Sequence, residues 1–359
     1  MTDLPTQARV VIIGGGVVGC SVAYHLTKLG WQDVVLLERK QLTSGTTWHA
    51  AGLIGQLRAS ANMTRLARYS AELYTGLEAE TGVATGFRQV GSVSVALTGE
   101  RLEELKRNAA MARAFGVPVE EMSPSEIKLR YPHLSLEGVT GGVWLPTDGQ
   151  ADPANIALAL AKGARNRGAR VQERVKVTGI AKHGRRVTGV DWQGEDGSAG
   201  HIACEMIVNC AGMWGHEVGR MAGTNVPLHA CEHFYIVSEP IAGLTQLPVL
   251  RVPDECAYYK EDAGKIMLGA FEPVSKPWGM NGIPESFEFD QLPEDFDHFE
   301  PILEAAVNRM PMLAEAGIHT FFNGPESFTP DDAYHLGLCP EMAHPLLGLL
   351  RDVPVDDCA

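Results

Sequence analysis

Six residues near the start of the chain, Gly14-Gly15-Gly16-Val17-Val18-Gly19, constrain the fold more than any other stretch. They satisfy G-x-G-x-x-G and stand between two segments of clear pattern. Before them, Arg9–Ile13 is an apolar, β-branched run of the kind a buried parallel strand needs. After them, Val17–Leu29 carries helical spacing, with Val18, Val22 and Leu26 on one stripe and Gly30 at its end. A second apolar run, Val34–Leu37, closes with Glu38. Strand, turn, helix and strand within about 30 residues make a β-α-β unit. In such a unit Gly14 permits the tight turn, Gly16 lets the backbone approach a pyrophosphate, and Gly19 lets helix pack on strand. The helix N-terminus offers free N–H groups to the phosphates. Glu38 is placed for the ribose hydroxyls and would repel a 2′-phosphate, so the pattern predicts FAD or NAD and argues against NADP.

Charge points the same way. A formal net charge of −14 over 359 residues gives no electrostatic footprint for nucleic acid or an anionic membrane surface, which leaves small-molecule chemistry. The seven cysteines form no CxxC pair, so neither a disulfide framework nor a metal site is expected, and a reducing, cytoplasmic setting follows. Met1–Ala8 lacks a signal-peptide pattern, and no apolar run approaches the roughly 20 residues of a membrane span.

Further along, a Gly/Thr/Ala-rich loop occupies Leu42–Gly55, and the spacing predicts a helix over Met63–Glu80 and a strand over Gly91–Leu97. Ser123-Pro124-Ser125-Glu126 and Asp152-Pro153 each open a helix, the second running over Ala154–Arg167. Strands are expected at Arg170–Val175, Thr188–Trp192 and Met206–Asn209, and in a β-rich region at His233–Val237, Ala257–Lys260 and Lys265–Ala270. Pro273–Pro293 reads as a surface excursion, Phe296–Arg309 as a helix, and Ile318–Pro325 as a strand and turn.

The twelve residues Leu42-Thr43-Ser44-Gly45-Thr46-Thr47-Trp48-His49-Ala50-Ala51-Gly52-Leu53 resemble the signature of the sarcosine and dimethylglycine dehydrogenase family. Gly86–Ser92, Asp148–Pro153, Val208–Trp214 and Gly324–Asp331 resemble further landmarks of that family, so the likeness covers about 9–342. It implies a D-amino-acid-oxidase-like α/β (α+β) fold: a Rossmann-type FAD domain with an inserted, mainly antiparallel sheet domain for substrate. The FAD domain would comprise 1–85, 150–220 and 310–342; the substrate domain 86–149 and 221–309; and 343–359 would be an atypical tail.

The resemblance also implies FAD linked covalently through His49, at the 8α-methyl of the isoalloxazine. Cofactor contacts would fall on Val17 and Val18, on Glu38 and Arg39, on Gly45 through Leu53 (Gly45, Thr46, Thr47, Trp48, His49, Ala50, Ala51, Gly52, Leu53), and on Val177 and Trp214. His233, within His229–Tyr235, and Tyr259 take the catalytic places, with Tyr258 on the opposite face of its strand. An imidazole there can accept the proton an amine must lose before it is oxidised. Arg58 and Arg251 are candidates for a substrate carboxylate, although among 30 Lys and Arg each reads by itself as a solvated surface residue. Glu326 is a further candidate to face the flavin.

The implied activity is oxidative N-demethylation of sarcosine or dimethylglycine, releasing formaldehyde, with a flavoprotein or quinone accepting electrons. A regulatory relative of pyruvate dehydrogenase phosphatase type is the alternative. After Met342 the family's apolar strand, Gly-rich turn and folate-binding half are not recognisable in Ala343–Ala359, which reads as a truncation.

Overall fold

The structure, a computed structural model, describes residues 4–348 except 59, 272, 332–333, 340–341 and 343–345. Two sheets organise it. In the first, Gln7–Ile13 pairs in parallel with Val34–Leu37 on one side and Ala199–Asn209 on the other. Arg170–Gln172 extends this sheet beyond Val34–Leu37. Alternation along the first strand explains its unbroken apolar character: Val10 and Ile12 pack under the helices Val17–Lys28 and Pro153–Asn166, while Val11 and Ile13 pack on the opposite face with Val175, Val190 and Ile202. The family's α+β architecture is therefore present, with a Rossmann-type domain and an inserted sheet that is mainly antiparallel.

The second sheet has nine strands. Its pairings are antiparallel except that Val249–Val252 runs parallel to Ser92–Ala96. One face lies on a core of Phe234, Ile236, Leu250, Tyr259, Leu268 and Phe321, closed from outside by the helix Phe296–Arg309. The other face looks at the first domain.

Several boundaries differ from expectation. Ile318–Phe328 is one strand of 11 residues paired along the whole of His229–Ser238, so this part of 310–342 belongs to the second sheet and not to the nucleotide domain. The strand expected over Arg170–Val175 breaks at Arg174, whose φ of +59° ends one strand and starts Val175–His183. The helix Gly99–Ala114 lacks a strong apolar stripe because its surface is polar; its signals are the Thr98 side chain accepting from the Arg101 N–H and the spacing of Leu105, Ala109 and Ala112. The segment 273–293 is more than an excursion: Phe287 and Leu292 are buried, and the Phe289 N–H donates to the Ser44 carbonyl at 3.0 Å, strapping it across the crevice. Leu346–Gly348, inside the supposed tail, pairs in parallel with Ala199–Asn209; 343–345 and 349–359 lie outside the described residues. Among the described residues no helix is long and apolar enough to cross a membrane.

Candidate active site

Two cavities meet at Thr46 and Thr47, and one of them lies at the carboxyl ends of the parallel strands, where an open α/β sheet binds its ligand. The outer one, about 110 Å³, is built by the glycine turn. Gly14 has φ +110°, and a Cβ there would stand 2.2 Å from the Cys210 carbonyl oxygen. A Cβ on Gly19 would stand 1.9 Å from the Gly14 carbonyl oxygen, so helix and turn meet backbone to backbone. Gly16 faces only the Thr47 hydroxyl, which accepts the Val17 N–H at 3.0 Å. The Glu38 carboxylate, at the end of its strand, accepts N–H groups from Gly15 at 2.6 Å and Lys40 at 2.8 Å. Burial raises its carboxyl above the ordinary value even so.

Arg39 stacks its guanidinium 4.6 Å over Trp214 and donates to the Glu285 carbonyl at 2.6 Å. Its Nε and Nη1 are buried with no partner among the described residues. Val18, Gly45, Val177 and Trp214 complete the outer cavity.

The inner cavity, about 180 Å³, begins at the loop after Glu38. The short turn Thr47–His49 aims His49 inward, and Ala50 to Leu53 continue the wall, with Val17 beside them. Thr46 and Thr47 border both cavities. Trp48 borders neither; it packs edge-on against His49 at 5.6 Å and Phe322 at 5.3 Å, so it supports the ring instead of touching a ligand. Gly19 likewise acts through packing alone. His49 is 6% exposed, and its Nε2 has no partner among the described residues. Burial first, and the nearby His233 second, push its pKa down to about 3.

The opposite wall is the face of the second sheet. His233 stacks on Phe271 at 4.3 Å, its Nε2 3.9 Å from the Glu326 carboxylate, and burial pushes its pKa down to about 4. Both imidazoles are therefore neutral bases at ordinary pH. Strand register sets which neighbours join them. Arg251 lies opposite Tyr258, Tyr258 opposite Gly269, Gly269 opposite Tyr235, and Tyr235 opposite Phe322, a row across one face. A Cβ on Gly269 would meet the Tyr258 hydroxyl at 2.1 Å, so the bare glycine lets that ring lie across the sheet.

This corrects the assignment of Tyr259. Its strand neighbours are Leu250 and Leu268, its side chain is fully buried in the core behind the sheet, and its hydroxyl finds no hydrogen-bond partner among the described residues. Tyr258, one residue earlier, takes the cavity face, because side chains alternate along a strand. Arg58 and Arg251 both line the inner cavity, and Arg58 is 6% exposed, so neither is the solvated residue that composition alone favours.

Asp148, in the sequence only the first residue of a family landmark, accepts from the Ser92 hydroxyl at 2.6 Å and the Gln56 N–H at 3.0 Å beside the two arginines, and burial pushes its carboxyl up to about 6. The landmark did not reveal its place at the cavity. Tyr235 was findable, two residues beyond His233 on the same strand face.

The cavities suit a long, anionic, partly aromatic ligand: a side-chain-free turn at the phosphate end and, without partners among the described residues, donors on Arg39 and the His49 Nε2 at the far end. The family model for FAD dependent oxidoreductases (DAO) matches residues 9–348, beyond the 9–342 that the sequence resemblance covers. The chain belongs to the FAD dependent oxidoreductase family. Family membership and fold together support FAD as its cofactor.

Among relatives, it is 41% identical to the mitochondrial sarcosine dehydrogenase of Homo sapiens over 96% of this chain and 38% of that one. It is 40% identical to the mitochondrial pyruvate dehydrogenase phosphatase regulatory subunit of Mus musculus, over 94% of this chain and 38% of that one. A formaldehyde-forming 4-methylaminobutanoate oxidase of Paenarthrobacter nicotinovorans is 38% identical over 95% of this chain and 41% of its own. The chain thus spans about two-fifths of the length of these curated relatives. In structure it resembles the L-proline dehydrogenase of P.horikoshii, with a TM-score of 0.84 and 26% identity over 97% of this chain and 88% of that one.

Proposed function

We propose that this chain oxidises the CH–N bond of a small N-methyl amino acid, sarcosine or dimethylglycine, to an iminium that water hydrolyses to formaldehyde and the demethylated amine. The observation that carries the reading is the pairing of neutral His233 with Tyr258, Arg251 and Arg58 on one cavity continuous with the dinucleotide crevice. Bound FAD supplies the acceptor for the hydride that leaves the methyl carbon. His233, which burial keeps unprotonated, accepts a hydrogen bond from the substrate nitrogen and holds the neutral amine. Arg58 and Arg251 hold the carboxylate, and Tyr258 donates its hydroxyl to orient the amine. His49, neutral and with its Nε2 unpartnered, keeps a lone pair for a bond to the flavin. A flavoprotein or quinone receives the electrons.

The test is anaerobic mixing of the FAD-loaded protein with sarcosine, dimethylglycine and 4-methylaminobutanoate. Loss of the visible flavin absorbance, with formaldehyde formed in equal amount, is expected for at least one. FAD that stays oxidised in the presence of every N-methyl amino acid would defeat the reading. A chain that binds no FAD at all would turn it toward a regulatory role, the role named for the mouse relative.

The two adjacent tyrosines give a sharper check. Tyr258→Phe should lower kcat/KM about tenfold, the loss of one substrate hydrogen bond. Tyr259→Phe should leave kcat/KM within about twofold and hold or raise Tm, because it deletes a buried hydroxyl that has no partner. The opposite ranking would return the role to Tyr259.

A further inference from the structure

We propose that Gly324 is the positioning residue that seats the His49 ring, and that the missing side chain there sets how efficiently His49 is joined to flavin. The inference rests on the reading that His49 carries that bond. Gly324 lies directly opposite His233 in the strand pairing, on the face that looks into the inner cavity. The space its side chain would fill is already taken. A Cβ at 324 would come within 2.5 Å of Phe322 Cε1, 2.7 Å of His49 Cε1 and 2.9 Å of His49 Nδ1. It would enter between two rings that pack with centroids 4.9 Å apart.

Phe322 has little room to yield. Tyr235 stacks on it at 4.9 Å and 13°, and Trp48 abuts its edge at 5.3 Å. The ring left to move is His49, and its open side is the cavity. Gly324 therefore lets two imidazoles share one wall: His233 rises from the neighbouring strand, and His49 reaches over the bare backbone beside it. On the same wall Gly269 leaves room in this way for the Tyr258 ring.

In the attachment itself, an imidazole N–H and a methyl C–H are replaced by one N–C bond. The two protons and two electrons released pass to dioxygen, the oxidant present during reconstitution. A displacement of about 1 Å in such a step costs on the order of 100-fold in rate.

The experiment reconstitutes the protein with FAD in air and follows flavin that stays with the polypeptide after acid precipitation. Wild type should hold its flavin through acid, His49→Ala should hold none, and Gly324→Ala should attach it roughly 100-fold more slowly while still binding FAD reversibly. A thermal-melting cycle isolates the ring contact. Gly324→Ala should lower Tm by roughly 2–6 °C in wild type, and by clearly less in the His49→Ala background, where the displaced ring is gone.

Wild-type attachment kinetics in Gly324→Ala would overturn the proposal, as would an equal Tm loss in both backgrounds. If Gly324→Ala does not fold, folding of the double variant supports the proposal and its failure overturns it. If wild type releases all its flavin in acid, the reading of His49 fails, and the melting cycle alone decides the role of Gly324.

Discussion

Gly19→Ala is expected to cost at least about 100-fold in FAD affinity, read as the flavin-to-protein ratio after purification and by titration of the apoprotein. The added Cβ would stand 1.9 Å from the Gly14 carbonyl oxygen, 3.1 Å from its carbon and 3.4 Å from Cys210 Cβ. Two of these three atoms are backbone, and no rotamer change moves them aside. Relief requires the helix Val17–Lys28 to withdraw from the turn, which carries its N-terminus away from the phosphates. Gly16→Ala makes the informative contrast. Its Cβ would meet only the Thr47 hydroxyl at 3.0 Å, so that variant should keep the apoprotein's Tm within about 2 °C while losing affinity through the phosphates alone. Full flavin content in Gly19→Ala would mean that the helix is not seated as described.

His233→Ala should lower kcat/KM for the N-methyl amino acid by roughly 100-fold, through loss of the ring that holds and orients the neutral amine. Burial sets the pH dependence. The imidazole is pushed from its ordinary 6.5 down to about 4, so it stays unprotonated across the neutral range, and the acid limb it contributes should fall near pH 4. A limb near 6.5 that vanishes in His233→Ala would show the ring to be solvated.

The same shift has a consequence for stability. Between pH 6.5 and about 4 the unfolded chain binds a proton at His233 that the folded chain refuses, so stability rises with pH through that window and is lost on acidification. His49, lowered to about 3, acts in the same direction over a wider range. His233→Ala should therefore lose less Tm than wild type between pH 7 and pH 4.5. An equal loss would indicate that other groups govern the acid sensitivity.

What the sequence determined by itself was local. The run from Arg9 to Glu38 carries strand, turn, helix and acid in the order of a dinucleotide fold, and the close approach of Gly19 to Gly14 lies within the motif itself. His49 could be placed because a contiguous stretch surrounds it. The capping box at Ser123–Glu126 was equally legible, since its two hydrogen bonds span three residues.

The tertiary structure alone decided which side of each second-sheet strand meets the cavity. Tyr258 and Tyr259 are indistinguishable by composition, and their faces follow from pairing with Leu250 and Arg251 on one side and Leu268 and Gly269 on the other. The same holds for the burial of Arg58, the placing of Asp148 and the bare wall at Gly324, each set by partners as much as 275 positions away, as Gly324 is from His49. A period of two assigns every strand two possible faces, and a slip of one residue exchanges them. Only long-range register breaks that tie, because the energy that selects it comes from burying Tyr259, Leu250 and Leu268 together against the helix Phe296–Arg309, a sum no single strand carries in its own sequence.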